Sequence, residues 1–225
     1  KDAINILNQE MAKQELSVVM TSSTELAMNL GSICNKNKIV LLPPIADGDN
    51  ITKAGKYVYL ITPVSSFQGK ELARYISKDG HKNVAVIYLN DAWGNSLSSE
   101  FKIALNEYNG VVLISEACNP GQRDFRTQLT KIKNQKPDAF LIILHPTETI
   151  PLLKQVKELN FSAALYGGDT FSNKALYSKD VVELIQGIKF TLPSQPNNEI
   201  FNSFRKGFKE KYGYESGNPD EDGPM

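Results

Sequence analysis

From residue 83 onward the chain repeats one unit, a short β-branched or apolar run followed by about ten residues at helical spacing. Residues 83–89 read as a strand and 95–108 as a helix closed by Asn109-Gly110. Strand 111–116 leads to helix 124–133. Strand 140–144 leads to helix 147–159, with Pro151 in its early turns, where proline is tolerated. Strand 164–167 leads to a helical stretch at 181–186, and then come strand 188–192 and helix 199–212. Runs such as Phe140-Leu141-Ile142-Ile143-Leu144 are apolar on both faces, as strands of a parallel sheet covered by helices are. Strict β/α alternation gives an α/β fold with an open parallel sheet flanked by helices.

Before residue 83 the pattern is shorter. Ile4, Leu7 and Met11 repeat at helical spacing, and 16–20 is a compact apolar run. A helix is predicted over 21–35, with Ser22 and Glu25 spaced as a capping box. Strand 38–42 ends at Pro43-Pro44, a polar loop fills 45–55, and 57–61 reads as a further strand. Helix 66–78 follows, with Gly80 just beyond its end. The loop with Pro63, and the proline- and asparagine-rich stretch 190–198, break the chain into two lobes crossed by more than one strand. One lobe comprises 1–62 with 194–225 and the other 63–193.

Composition excludes several functions. With Lys+Arg 25 and Asp+Glu 25 the net charge is zero, so no basic field recruits nucleic acid or an anionic membrane. The longest apolar run, 139–144, is far below the roughly 18 residues of a bilayer span, so no direct membrane insertion is expected. The chain opens on a polar, helix-like stretch rather than a signal peptide, as expected of a cytoplasmic protein or one whose leader is removed. Cys34 and Cys118 show no CxxC spacing and are expected as free thiols. His81 and His145 are too far apart for a zinc site. Asp47, Asp49 and Asn50 look like half a calcium loop without its spacing or terminal Glu. Phosphate-cradling glycine motifs and a nucleophile elbow are absent. No cofactor, metal or catalytic residue is expected.

In open parallel sheets ligands bind beyond the carboxyl ends of the strands. That rule gathers five segments: Thr21-Ser22-Ser23, Ile45-Ala46-Asp47, Asp91-Ala92-Trp93-Gly94, His145-Pro146-Thr147 and Gly168-Asp169-Thr170. Thr21, Ser22 and Ser23 suit either a helix cap or an anion held by hydroxyls, free N–H groups and the helix dipole. Trp93 suits a cleft wall or core filler, His145 a pocket wall or solvated loop, and Asp169 a cap or a ligand group. An anion-holding helix end with a separate carboxylate suits a zwitterion.

"SSFQGKELARYI" (65–76), "KNVAVIYLNDAWGNSL" (82–97), "CNPGQRDFRTQLTKIKNQKPDAFLI" (118–142), "HPTETIPLLKQVKEL" (145–159) and "LYGGDTFSN" (165–173) resemble the type I periplasmic binding proteins. These are the Leu/Ile/Val-binding-protein-like, amino-acid-binding components of ABC importers. The resemblance covers about residues 1–214, and Asn-Pro-Gly-x-x-Asp-Phe is its most specific piece. It implies two α/β lobes joined by three crossing strands, with hinges at 61–65 and 192–195 and a ligand clamped between. It implies a non-enzymatic, periplasmic or extracellular protein, with a lipid anchor as one option, that captures an amino acid or similar zwitterion for ABC importer membrane subunits. A ligand-sensing extracellular receptor domain is the alternative use of the same fold. By position, Thr21, Ser22 and Ser23 match the hydroxyl segment for the ligand's α-carboxylate. Ile45, Ala46 and Asp47 match the segment touching carboxylate and ammonium, Trp93 and His145 the aromatic positions over the ligand, and Asp169 the acid that pairs with the ammonium. Three residues depart from the pattern: Asp47 replaces a small hydroxyl residue, Ile45 a small residue and His145 a tyrosine. They disfavour a branched-chain aliphatic ligand and are compatible with extra positive charge on it. Relative to the family, lobe 1 is incomplete, with an uncovered sheet edge expected, and the tail "ESGNPDEDGPM" has no counterpart.

Overall fold

A computed structural model of the protein describes residues 2–193 and 197–213. The larger sheet is organised by β3 (Asn83–Leu89) and β5 (Ala139–Ile143), paired in parallel from Val84↔Ala139 to Tyr88↔Ile143. With β4 (Val111–Cys118), β6 (Ala164–Gly167) and β7 (Lys189–Phe190) the order is β4-β3-β5-β6-β7, all parallel. Alternate side chains enter opposite layers. Ala85, Ile87, Phe140 and Ile142 meet Leu129 and Ile132 of α5 (Arg126–Asn134) and Leu152, Leu153 and Val156 of α6 (Pro146–Glu158). Val84, Val86, Leu141 and Ile143 meet Leu72, Ala73 and Ile76 of α3 (Ser65–Lys78) and Leu97, Phe101 and Leu105 of α4 (Ala92–Glu107). Each such burial is worth roughly 1.5–3 kcal/mol. A one-residue slip would exchange both layers at once, which fixes the register.

The smaller lobe pairs β1 (Val18–Met20) with β2 (Val40–Leu42) in parallel, flanked by α1 (Asp2–Lys13) and α2 (Thr24–Lys36). Leu7, Ala27, Leu30, Cys34, Leu41, Ile51 and Val58 form its core. On β1, Val18 is 53% and Met20 63% exposed. The strand borders an apolar groove of about 580 Å³ lined by Ile6, Leu16, Met20 and Pro44 among others. α7 (Glu199–Tyr212) has the range read from the sequence; Asn198 caps it by accepting from the Phe201 N–H at 2.8 Å.

Several expectations are corrected. Residues 57–61 make only a single parallel bridge, Leu41↔Val58, because the next partners are Pro43-Pro44, which cannot donate to a ladder. The first cap is Ser23, whose Oγ accepts from the Leu26 N–H at 3.2 Å, so α2 starts at Thr24 rather than 21. α4 begins three residues early, since Asp91 Oδ1 accepts from the Gly94 N–H at 2.7 Å. Residues 181–186 hold a single 3₁₀ turn, Val182–Leu184. The strand expected at 188–192 shortens to β7, because β6 stops at Gly167 and offers no further ladder. The tail at 215–225 and the lobe boundary at 194 lie outside the described residues.

Candidate functional site

The carboxyl ends of β1, β2, β3, β5 and β6 carry the sequence-predicted groups, and each is held differently. After β1, Ser23 is committed to capping α2 and Ser22 is exposed. Thr21 Oγ1 is buried and has no hydrogen-bond partner among the described residues.

After β2, the segment 45–50 crosses to the start of α3. Ile45 is 44% exposed and Ala46 is buried, its carbonyl accepting from Thr62 Oγ1 at 2.6 Å. The Asp47 carbonyl accepts from the Ser65 N–H at 2.7 Å and from Ser65 Oγ at 3.1 Å. The Asp49 carboxylate accepts from the Ser66 N–H at 2.9 Å and from Ser66 Oγ at 2.5 Å. Val64, the N-cap of α3, has no side-chain acceptor to offer, so Asp49 satisfies a helix-start N–H from another part of the chain. That is the role of the apparent half calcium loop. Among the described residues no group of three or more His, Cys, Asp or Glu could hold a metal ion.

The Asp47 side chain points elsewhere than its carbonyl: Thr24 Oγ1 donates to its Oδ1 at 3.2 Å. Burial first, and then the charge of Asp169, together push this carboxyl up to about 7 against the hydroxyls of Thr24 and Ser65, which oppose the rise. Asp47 therefore lies in the field of Asp169, although one follows β2 of the smaller sheet and the other β6 of the larger one.

Asp169 opens a 3₁₀ turn, Asp169–Ser172, directly beyond β6 and Gly168. Its carboxylate does not cap that turn. Oδ1 accepts from Gln68 Nε2 at 3.0 Å, and the same nitrogen donates to Thr191 Oγ1 at 3.1 Å. Both amide hydrogens are used, so Gln68 fixes the carboxylate against the chain leaving β7. Gln68, Thr24, Ser65 and Thr191 are not picked out by the sequence; the one available signal is that Gln68 lies in the first turn of a helix that starts at the predicted hinge.

Trp93 and His145, at the ends of neighbouring strands, stack with ring centroids 4.9 Å apart and planes 10° from parallel. Trp93 also packs against the α3/α4 layer, so it is at once core and wall, while His145 is exposed at the start of α6. Among the described residues no hydrogen bond or ring contact joins this pair to the two aspartates. The thiols Cys34 and Cys118 are free and buried. Burial, then Glu148 and Asp91, push Cys118 up to about 12, which keeps it protonated and poor as a nucleophile.

A family model described as periplasmic binding protein matches residues 3–221. The Leu/Ile/Val-binding protein BraC3 of Rhizobium johnstonii is 27% identical over 180 residues, covering 79% of this chain and 49% of its own. The Leu/Ile/Val-binding protein homolog 3 of Brucella melitensis is 26% identical over 77% of this chain and 48% of its own. The chain thus spans about half the length of these relatives. Among solved structures, the leucine-binding protein LivK of Thermotoga maritima has a TM-score of 0.81 at 24% identity, covering 95% of this chain and 61% of its own. A solute-binding protein of an ABC transporter from R. palustris, in complex with benzoate, has a TM-score of 0.81 at 20% identity, covering 95% and 60%. At these identities the structural likeness is one of fold. The family match over nearly the whole length and the parallel, helix-flanked lobes agree, and the chain belongs to the periplasmic binding proteins, in their type I, Leu/Ile/Val-binding-protein-like family.

Proposed function

We propose that this chain is part of an extracytoplasmic solute-binding protein, not an enzyme, that captures an amino acid or similar small zwitterion and delivers it to the membrane subunits of an ABC importer. The observation that carries the reading is Asp169. It is an acid at the carboxyl end of a parallel strand, oriented by a neutral amide and, among the described residues, without an ion-pair partner. An ammonium group is the complementary ligand. On the other side of the cleft, the unpartnered Thr21 hydroxyl, Ser22 and the amino end of α2 suit the ligand's carboxylate. Ile45, Ala46 and Asp47 border it from the β2 side, Ser23 supports it by fixing the helix start, and the Trp93–His145 stack supplies a flat apolar wall.

The names of relatives such as BraC3, a Leu/Ile/Val-binding protein, support the class of ligand. Lobe 2 then comprises 63–193 and lobe 1 the segments 1–62 and 194–225. Closure occurs about 61–65 and 192–195, of which 194 and 195 lie outside the described residues. Among those described, no helix is long and apolar enough to cross a membrane. Truncating one partner of a desolvated charge pair costs about 2–5 kcal/mol. Asp169→Asn should therefore weaken amino-acid binding well beyond tenfold in titration calorimetry. Unchanged affinity in a folded variant would remove Asp169 from the ammonium role.

A further inference from the structure

We propose that the cleft selects a solute with two cationic nitrogens, one held by Asp169 and the second by Asp47. This rests on the solute-binding reading above and names the ligand class. The two carboxylates come from different lobes, Asp47 from the segment after β2 and Asp169 from the turn after β6. Both are tied to the first turn of α3: the Ser65 N–H donates to the Asp47 carbonyl at 2.7 Å, and the Gln68 amide, three residues on, donates to the Asp169 carboxylate at 3.0 Å. Held there, the charge of Asp169 disfavours ionisation of Asp47. Their polar neighbours are the hydroxyls of Thr24 and Ser65 on one side and the amide of Gln68 on the other, all of them neutral donors. Among the described residues, no lysine, arginine or histidine forms an ion pair with either acid. The pair is hydrogen-bonded but uncompensated.

A neutral aliphatic amino acid fits this arrangement poorly. Its single ammonium neutralises one acid, and its α-carboxylate, seated at the start of α2, lies on the side from which Thr24 reaches Asp47. A second nitrogen resolves both conflicts. Each acid gains a cation, and the carboxylate keeps the unpartnered Thr21 hydroxyl and the helix amino end. Asp47 is not required by the fold for its charge. The link between lobes uses its backbone carbonyl, and a neutral acceptor would serve Thr24 equally well. The ligand class is therefore that of short diamino acids, in which the two nitrogens sit at opposite ends of a few-carbon chain.

The test compares L-ornithine with L-norvaline, which share a carbon chain and α-groups and differ by one ammonium. Titration calorimetry on the full chain should find ornithine at least about tenfold tighter. Asp47→Thr should erase that preference, chiefly by weakening ornithine. Norvaline binding the wild-type protein as tightly as ornithine would overturn charge selection while leaving the amino-acid reading intact, and this comparison needs no variant to fold. Tight binding of putrescine, two ammoniums without a carboxylate, at or above the affinity of ornithine would overturn the carboxylate arm of the proposal. Absence of any thermal shift with these probes and with an equimolar mixture of the twenty common amino acids would overturn the amino-acid reading itself.

Discussion

The substitution Asp47→Asn should make the protein more stable, and by an amount that depends on pH. An ordinary aspartate titrates near 3.8, whereas Asp47 in the fold is pushed up to about 7. The folded state therefore favours the protonated carboxyl. Below about pH 4 both folded and unfolded chains carry the proton and the group is neutral to stability. As pH rises from about 4 to about 7 the unfolded chain has lost the proton and the folded one still binds it, so stability falls along this interval. Above about 7 the full penalty of a buried carboxylate is present. At about 1.36 kcal/mol per unit, a rise of roughly three units sets an upper limit near 4 kcal/mol. The side chain keeps some contact with solvent, and about 2 kcal/mol is the better expectation. The amide of the variant would keep an oxygen that accepts from Thr24, so the substitution removes charge without removing that bond. Urea unfolding of both proteins, followed by circular dichroism at pH 4, 5.5, 7 and 8, gives the difference curve. It should be near zero at pH 4 and should climb in favour of the variant to a plateau above 7. A difference that stays flat from pH 4 to 8 would refute the buried-charge reasoning, and one that falls with pH would reverse its sign.

Two further variants test how the surrounding frame is held. Gln68→Leu removes the only described donor to the Asp169 carboxylate and the bond to Thr191, and should lower unfolding free energy by about 1–3 kcal/mol; an unchanged urea midpoint would show the amide to be idle. Gly94→Ala places a Cβ 2.1 Å from the Leu89 carbonyl oxygen, against the end of a central strand that cannot retreat. A loss of about 3 kcal/mol or more is expected in the same assay, and wild-type stability would mean that the first turn of α4 swings away freely.

The parts of the fold legible in the sequence are those fixed by nearby residues. β3 and α7 have the ranges read from pattern alone, because a two-sided apolar run and an Asn198 cap before a helical stretch are local signals. The small errors have local causes too. Ser22 and Ser23 are both capable caps, and only the path of the chain after Met20 decides between them. The bridge at Val58 reads as a full strand because its apolar residues are real and the proline-imposed end of its partner lies elsewhere in the chain. The candidate site divides in the same way. Asp169 and Trp93 can be picked out by their place after strands, whereas Gln68 and Thr191 cannot. Gln68 is 101 residues from Asp169 and 123 from Thr191, and no periodicity links such positions. The stacking of Trp93 on His145 likewise depends on β3 and β5 being neighbours, which the order of strands along the chain does not reveal.

Asp47 and Asp49 show how two like residues in one loop separate into structural and functional roles. The Asp49 carboxylate takes two hydrogen bonds from Ser66 at the start of α3, where both the free N–H and the helix dipole favour a negative charge. Its charge is used by the fold itself. Two residues earlier, Asp47 is tied to the start of α3 through its backbone carbonyl, and its carboxylate meets neutral hydroxyls and a like charge. Removing that charge should strengthen the fold, which is the opposite of what a structural residue does. A group expected to lower stability, placed beyond the end of a parallel strand and within the field of a second acid, calls for compensation from outside the folded chain. On the proposed reading a cationic ligand supplies that compensation, and its binding draws together the two segments that carry the pair.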